Sequence, residues 1–82
     1  MLKSEDVVKY FKDNQPRYDD FFELDIVINP LYTSLEDNPV YLTGKALIEY
    51  VVSYLTYETL LTFKETKEIE VIIKDLNTLN KQ

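Results

Sequence analysis

The chain has 82 residues, with 15 Asp and Glu against 9 Lys and Arg, a net charge of −6 and 45% apolar residues. That length suits one compact domain spanning 1–82 with a small core, and the apolar share excludes a disordered chain. Cys, His and Trp are absent and Gly occurs once, which removes disulfides, thiolate metal sites, the usual general base and every glycine-rich phosphate cradle.

Ser4 with Glu5 and Asp6 supplies an N-cap and two first-turn acids ahead of Val7, Val8, Tyr10 and Phe11. Lys9 and Lys12 stand near the far end, so a helix is expected over 4–13. Asn14-Gln15-Pro16 marks a boundary, because the residue before Pro is pushed out of the helical region. From Asp20 to Asn29 the residues Phe22, Leu24, Ile26 and Ile28 recur at period two, which reads as a strand over 21–28. A helix that opens on Pro16, with Asp19 and Asp20 in its first turn, and ends before Pro30 is the competing reading. Residues 29–39 hold two Asn-Pro pairs and read as a loop, in which Thr33 and Glu36 have capping-box spacing around one short turn. Val40-Tyr41-Leu42 is the nearby pairing candidate for the strand, and such a ribbon needs helices to pack on.

Thr43-Gly44-Lys45 opens the longest apolar segment. A central helix is expected over 43–63, with Leu47, Val51, Tyr54, Leu55 and Leu61 on one broad face and Ile48 and Val52 beside them. Its Thr, Val and Tyr content leaves the part from Tyr57 onward open to a strand. A last helix over 66–80 follows from Ile69, Ile72, Ile73, Leu76 and Leu79, with Glu70 four residues before Lys74. A hairpin of 60–64 with 69–73 ranks second, since no Gly, Asn or Pro serves its turn and Ile72 faces its polar side. The expected fold class is α+β and mostly helical, about three helices with one short strand or ribbon, and an all-α bundle is its rival.

Charge is segregated along the chain. Between Tyr18 and Gly44 stand Asp19, Asp20, Glu23, Asp25, Glu36 and Asp37 without one Lys or Arg, whereas elsewhere nine acids balance nine bases. A field of one sign steers encounter with an oppositely charged partner; the plainer account is a solvated connecting segment whose acids keep the chain soluble. Asp19-Asp20-x-x-Glu23-x-Asp25 offers oxygen ligands but lacks the Gly and the spacing of a Ca²⁺ loop, so no metal and no cofactor are expected. Lys3, Lys9, Lys12 and Arg17 are interrupted by Glu5, Asp6 and Asp13, which speaks against direct nucleic-acid binding. Nothing pairs a base with a serine or threonine hydroxyl, so no enzymatic activity is expected. Glu49 and Glu58 break the richest apolar segment and exclude a membrane span. Residues 1–6 lack the apolar run of a secretion signal, which points to the cytoplasm.

Tyrosine is enriched at interfaces because it joins a large apolar face to a polar tip. Tyr18, Tyr32 and Tyr41 lie in or beside the acidic zone, while Tyr50, Tyr54 and Tyr57 line the central helix as half-buried core. The expected function is a small acidic, non-enzymatic protein–protein interaction module with a regulatory or inhibitory role. It would dock Tyr18, Asp19, Asp20, Glu23, Asp25, Tyr32, Glu36, Asp37 and Tyr41 on another protein with a basic surface, a surface of the kind that binds nucleic acid. The alternative is an assembly protein that forms a homodimer, or joins a larger complex, through apolar helix faces.

Overall fold

A computed structural model describes residues 1–38 and 41–82 of the chain. Helix α1 (Ser4–Asp13) forms where expected, and its buried stripe is Val7, Val8, Tyr10 and Phe11. Its N-cap lies one residue earlier than the sequence suggests, at Lys3, whose backbone N–H donates to the Asp6 carboxylate at 2.9 Å. Ser4 is instead the first helical residue, and its Oγ is buried without a hydrogen-bond partner.

The chain then departs from the α+β expectation. Residues 15–18 form a single helical turn, α2 (Gln15–Tyr18), with Pro16 in its first turn. Residues 19–27 follow as two consecutive turns: Phe21 and Phe22 N–H donate to the Tyr18 carbonyl, and Ile26 and Val27 N–H donate to that of Glu23. Helix α3 (Ile28–Asp37) replaces the expected loop over 29–37, and the end of that loop at Pro39 lies outside the described residues. No strand occurs among the described residues, so the strand over 21–28 is overturned and the fold is all-α. Its proposed partner reaches Val40, which lies outside the described residues, while Tyr41 and Leu42 are not in a strand.

The physical reason lies in the prolines and in burial. A proline in the first helical turn lacks only an N–H that has no intrahelical acceptor there, so Pro16 and Pro30 open helices rather than break them. The period-two face also fails as a core face, because Ile26 is 63% exposed whereas Val27 is buried. Val27, Ile28, Leu31 and Leu35 make the buried set, a spacing of three and four that belongs to a helix.

Helix α4 (Gly44–Thr59) and helix α5 (Phe63–Asn80) pack against each other, and α1 packs against α3. Leu47, Ile48, Val51 and Leu55 of α4 meet Ile69, Ile72 and Leu76 of α5 in one core with Phe11, Tyr18, Phe22, Ile28 and Leu31. The hairpin alternative over 60–73 is thereby excluded, since Thr62 and Glu65 cap α5 reciprocally. Thr62 N–H donates to Glu65 Oε2 at 2.6 Å, and Glu65 N–H donates to Thr62 Oγ1 at 3.4 Å. The backbone donor holds the Glu65 carboxyl below its ordinary range.

The single glycine closes the molecule. Gly44 sits at φ 58°, its N–H donates to the Leu2 carbonyl at 2.8 Å, and the Leu2 N–H donates to Asn80 Oδ1 at 3.0 Å. The start of the chain, the start of α4 and the end of α5 are thus tied at one point. A Cβ at position 44 would lie 3.3 Å from Met1 Cγ, and the left-handed backbone penalises any side chain by about 1–2 kcal/mol. Gly44→Ala is therefore expected to lower stability by about 1–2 kcal/mol, read as an earlier urea midpoint with an unchanged slope.

Candidate protein-docking surface

The acidic residues of the expected surface divide into two groups. Asp19, Glu23 and Asp25 line one open groove with Gln15, Phe22, Leu24 and Ile26, and exposed Asp20 stands in the same turn. Hydrogen-bonded turns hold this backbone, and two hydrophobic side chains, Phe22 and Val27, anchor it in the core. Asp25 Oδ1 accepts from Asn29 Nδ2 at 2.9 Å. Among the described residues nothing pairs with the carboxylates of Asp19, Asp20 or Glu23. Nor does any group of three or more carboxylates converge closely enough there to hold a metal ion.

Glu36 and Asp37 lie at the opposite end of α3, about 15 Å away along a ten-residue helix. Both are exposed, and Glu36 is paired with Lys12 at 3.5 Å. Tyr41 is exposed beyond them, at 82%. The structure therefore gathers four of the expected acids at the 19–25 turns and leaves Glu36, Asp37 and Tyr41 elsewhere.

The structure encloses the hydroxyls of Tyr18 and Tyr32. Tyr18 is buried, and its hydroxyl reaches that of Tyr10, which donates to Asp75 Oδ2 at 2.8 Å. Because the carboxylate can only accept, the Tyr10 proton is committed to it and Tyr18 donates to Tyr10. Arg17 Nη1 lies 3.5 Å from the same carboxylate oxygen, closing a chain of four residues from α1, α2 and α5. Burial raises the pKa of both phenols above the ordinary tyrosine value. Tyr32 is half-buried against Phe11, with Lys12 Nζ 5.8 Å from its ring centre. Its hydroxyl is enclosed without a partner, and burial pushes its pKa up to about 12. Of the tyrosines on α4, Tyr50 and Tyr54 are half-buried as expected, and the Tyr50 hydroxyl lies 3.1 Å from Ser34 Oγ. Tyr57, by contrast, is exposed.

Sequence reasoning missed an apolar cluster beside the acids. A hollow of about 280 Å³ separates Phe21, Phe22, Glu23, Ile26 and Val27 from Glu58, Thr59 and Glu65. It sits where the 19–27 turns meet the junction of α4 and α5. Leu60 and Phe63 flank that junction, and Lys64 Nζ caps the Phe21 ring at 4.8 Å. Leu60 and Phe63 fall inside or at the edge of a segment read as continuous helix, so their exposure was invisible until the helix break was placed. The apolar positions Ile69, Ile72 and Leu76, by contrast, are all buried inside the chain's own core.

No protein-family model, curated protein or solved structure matches this chain. Among the described residues no helix is long and apolar enough to cross a membrane.

Proposed function

We propose that this protein is a non-enzymatic docking module, regulatory or inhibitory in role, whose acidic 19–25 turns bind a basic surface of another protein in the cytoplasm. The observation that supports this reading is the group Asp19, Asp20, Glu23 and Asp25, exposed together on a turn segment that hydrogen bonds and buried Phe22 and Val27 hold in place. A rigid array of carboxylates presents a field like that of a phosphate backbone, so a partner that holds nucleic acid would be blocked by it. The acids at the end of α3 add a second argument. Glu36 and Asp37 stand at a helix C-terminus, where negative charge costs about 0.3–1 kcal/mol each, and no base occupies that last turn. The ion pair with Lys12 offsets that cost for Glu36, whereas helix stability does not account for Asp37 and a contribution to a long-range negative field does.

The quadruple variant Asp19→Asn, Asp20→Asn, Glu23→Gln, Asp25→Asn tests this. These changes remove charge but keep side-chain size, and Asn at 25 can still accept from Asn29, so folding is expected to be unaffected. Exposed charge pairs contribute about 0.2–1 kcal/mol each, so loss of four is expected to weaken partner binding by about fourfold to several-hundredfold. Capture from host lysate at low and moderate salt, followed by identification of the retained proteins, gives the readout. A basic or nucleic-acid-handling protein retained by the wild type, and lost with either salt or the variant, is the expected result. Partners retained equally by the variant at moderate salt would overturn the reading.

A further inference from the structure

We propose that the junction of α4 and α5 is the apolar anchor of this docking face, and that its occupant is a basic amphipathic helix of the partner protein; this rests on the acidic docking role proposed above. Leu60 carries the first part of the argument. It closes α4 at φ 47°, ψ 59°, and it is the one non-glycine residue at positive φ among the described residues. Glycine is the usual occupant of that position, because a Cβ there is strained. A leucine there is repaid by no packing of its own, since it is 86% exposed. A local rule broken without a structural return marks a residue kept for another purpose.

Its neighbours share this exposure. Phe63 is 78% exposed, Tyr57 79% and Ile26 63%, so four of the six large apolar side chains most exposed among the described residues lie at this end. Single exposed apolar residues are ordinary, but a concentration of them beside a hollow marks an interaction surface.

Charge selects the occupant. Glu23, Glu58 and Glu65 line the hollow, and Asp19, Asp20 and Asp25 extend the acidic rim. The two nearby lysines are drawn onto rings, Lys64 onto Phe21 and Lys67 onto Phe63 at 4.7 Å. A second copy of the chain, docked by the same face, would bring two acidic rims together, each with its own Glu23, Glu58 and Glu65. A partner helix with apolar residues at i, i+3, i+4 and i+7 and Lys or Arg between them matches both the apolar centre and the acidic rim.

Two labelled peptides of equal length and charge test this by fluorescence anisotropy. One alternates lysine with leucine at helical spacing, and the other has serine in place of every leucine. The wild-type chain is expected to bind the leucine peptide about tenfold more tightly than the serine peptide. Leu60→Gly and Phe63→Ser are each expected to weaken the leucine peptide about fivefold, and both together to bring it to the level of the serine peptide. Neither change should alter serine-peptide binding. Leu60→Gly relieves the left-handed strain and is expected to raise the melting temperature, so its loss of binding is separable from unfolding.

Equal affinity for the two peptides, with salt sensitivity retained, would overturn the apolar anchor and leave the acidic reading standing. Leucine-peptide binding that the quadruple acid variant keeps, and that salt does not weaken, would overturn the acidic reading instead. A two-chain mass in sedimentation that Leu60→Gly abolishes would assign the corner to a second copy and overturn the proposal.

Discussion

Ile72→Ala is expected to destabilise the protein by about 3 kcal/mol and to lower its melting temperature by about 12–24 °C. Ile72 lies at the middle of α5, has no solvent exposure and belongs to the continuous core that joins α4 and α5 to α1 and α3. Truncation removes three buried carbons and leaves a cavity that rigid helices on either side cannot close fully, which is why the transfer and cavity costs add. An 82-residue domain has a total stability of about 4–12 kcal/mol, so this one change consumes a large part of it. Tyr57→Ala, at an exposed position on α4, is the matched control and is expected to stay within about 0.5 kcal/mol of the wild type. Thermal melts of the two variants read the difference. The comparison also discriminates between folds, because Ile72 would face the polar side of a 69–73 hairpin strand and its truncation there would cost little. A melting temperature for Ile72→Ala within about 3 °C of the wild type would contradict the helical packing of α5.

Three of the five helices among the described residues are legible in the sequence because their signals are periodic and long. The stripes Val7, Val8, Tyr10, Phe11 in α1, Leu47, Ile48, Val51, Leu55 in α4 and Ile69, Ile72, Leu76 in α5 are the residues the core buries. The segment 19–37 was misread for two physical reasons. Phe22, Leu24, Ile26 and Ile28 alternate by accident of a turn followed by a helix start, and four alternating residues are too few to separate the two periods. Pro30 reads as a loop signal, yet in a first helical turn its missing N–H costs nothing. Thr33 and Glu36 have capping-box spacing yet lie within α3, whereas Thr62 and Glu65 form such a box at α5; spacing alone does not separate them. Placing that cap correctly would have ended α4 near Thr59 and left Leu60 and Phe63 at a corner. The exposure of the acids at 19–25 was readable from their charge. The burial of Tyr18 was not, since it depends on Tyr10, Arg17 and Asp75, the last of them 57 residues further along the chain.

That same tyrosine cluster sets the expected alkaline limit of the fold, a cooperative unfolding between about pH 10 and pH 12. Tyr10, Tyr18 and Tyr32 all have pKa values raised above the unfolded tyrosine value, chiefly because burial disfavours the phenolate. For an acid with a raised folded pKa the stabilisation is complete below the unfolded value, near pH 10, and is lost as pH climbs toward the folded value, about 12 for Tyr32. Each such group lowers stability by at most about 1.4 kcal/mol per pH unit in that window, and Tyr32 by less because its ring keeps part of its hydration. Two groups that must ionise inside one core, Tyr10 and Tyr18 in direct hydrogen-bond contact, make the fall steep relative to the total stability of a small domain. Tyr32→Phe separates the contributions. Its hydroxyl is enclosed without a partner, so its removal is expected to raise neutral-pH stability by up to about 1 kcal/mol and to move the alkaline midpoint upward. Tyr10→Phe behaves oppositely at neutral pH, because it strands the Tyr18 hydroxyl and takes one donor from Asp75, at a cost of about 1–3 kcal/mol. Circular dichroism followed from pH 7 to 12.5, with tyrosinate absorbance read in parallel, distinguishes these cases. Ionisation of all seven tyrosines with one midpoint at about pH 10 and without loss of helix would show that the phenols are not enclosed as described, and would break the link between this network and the stability of the fold.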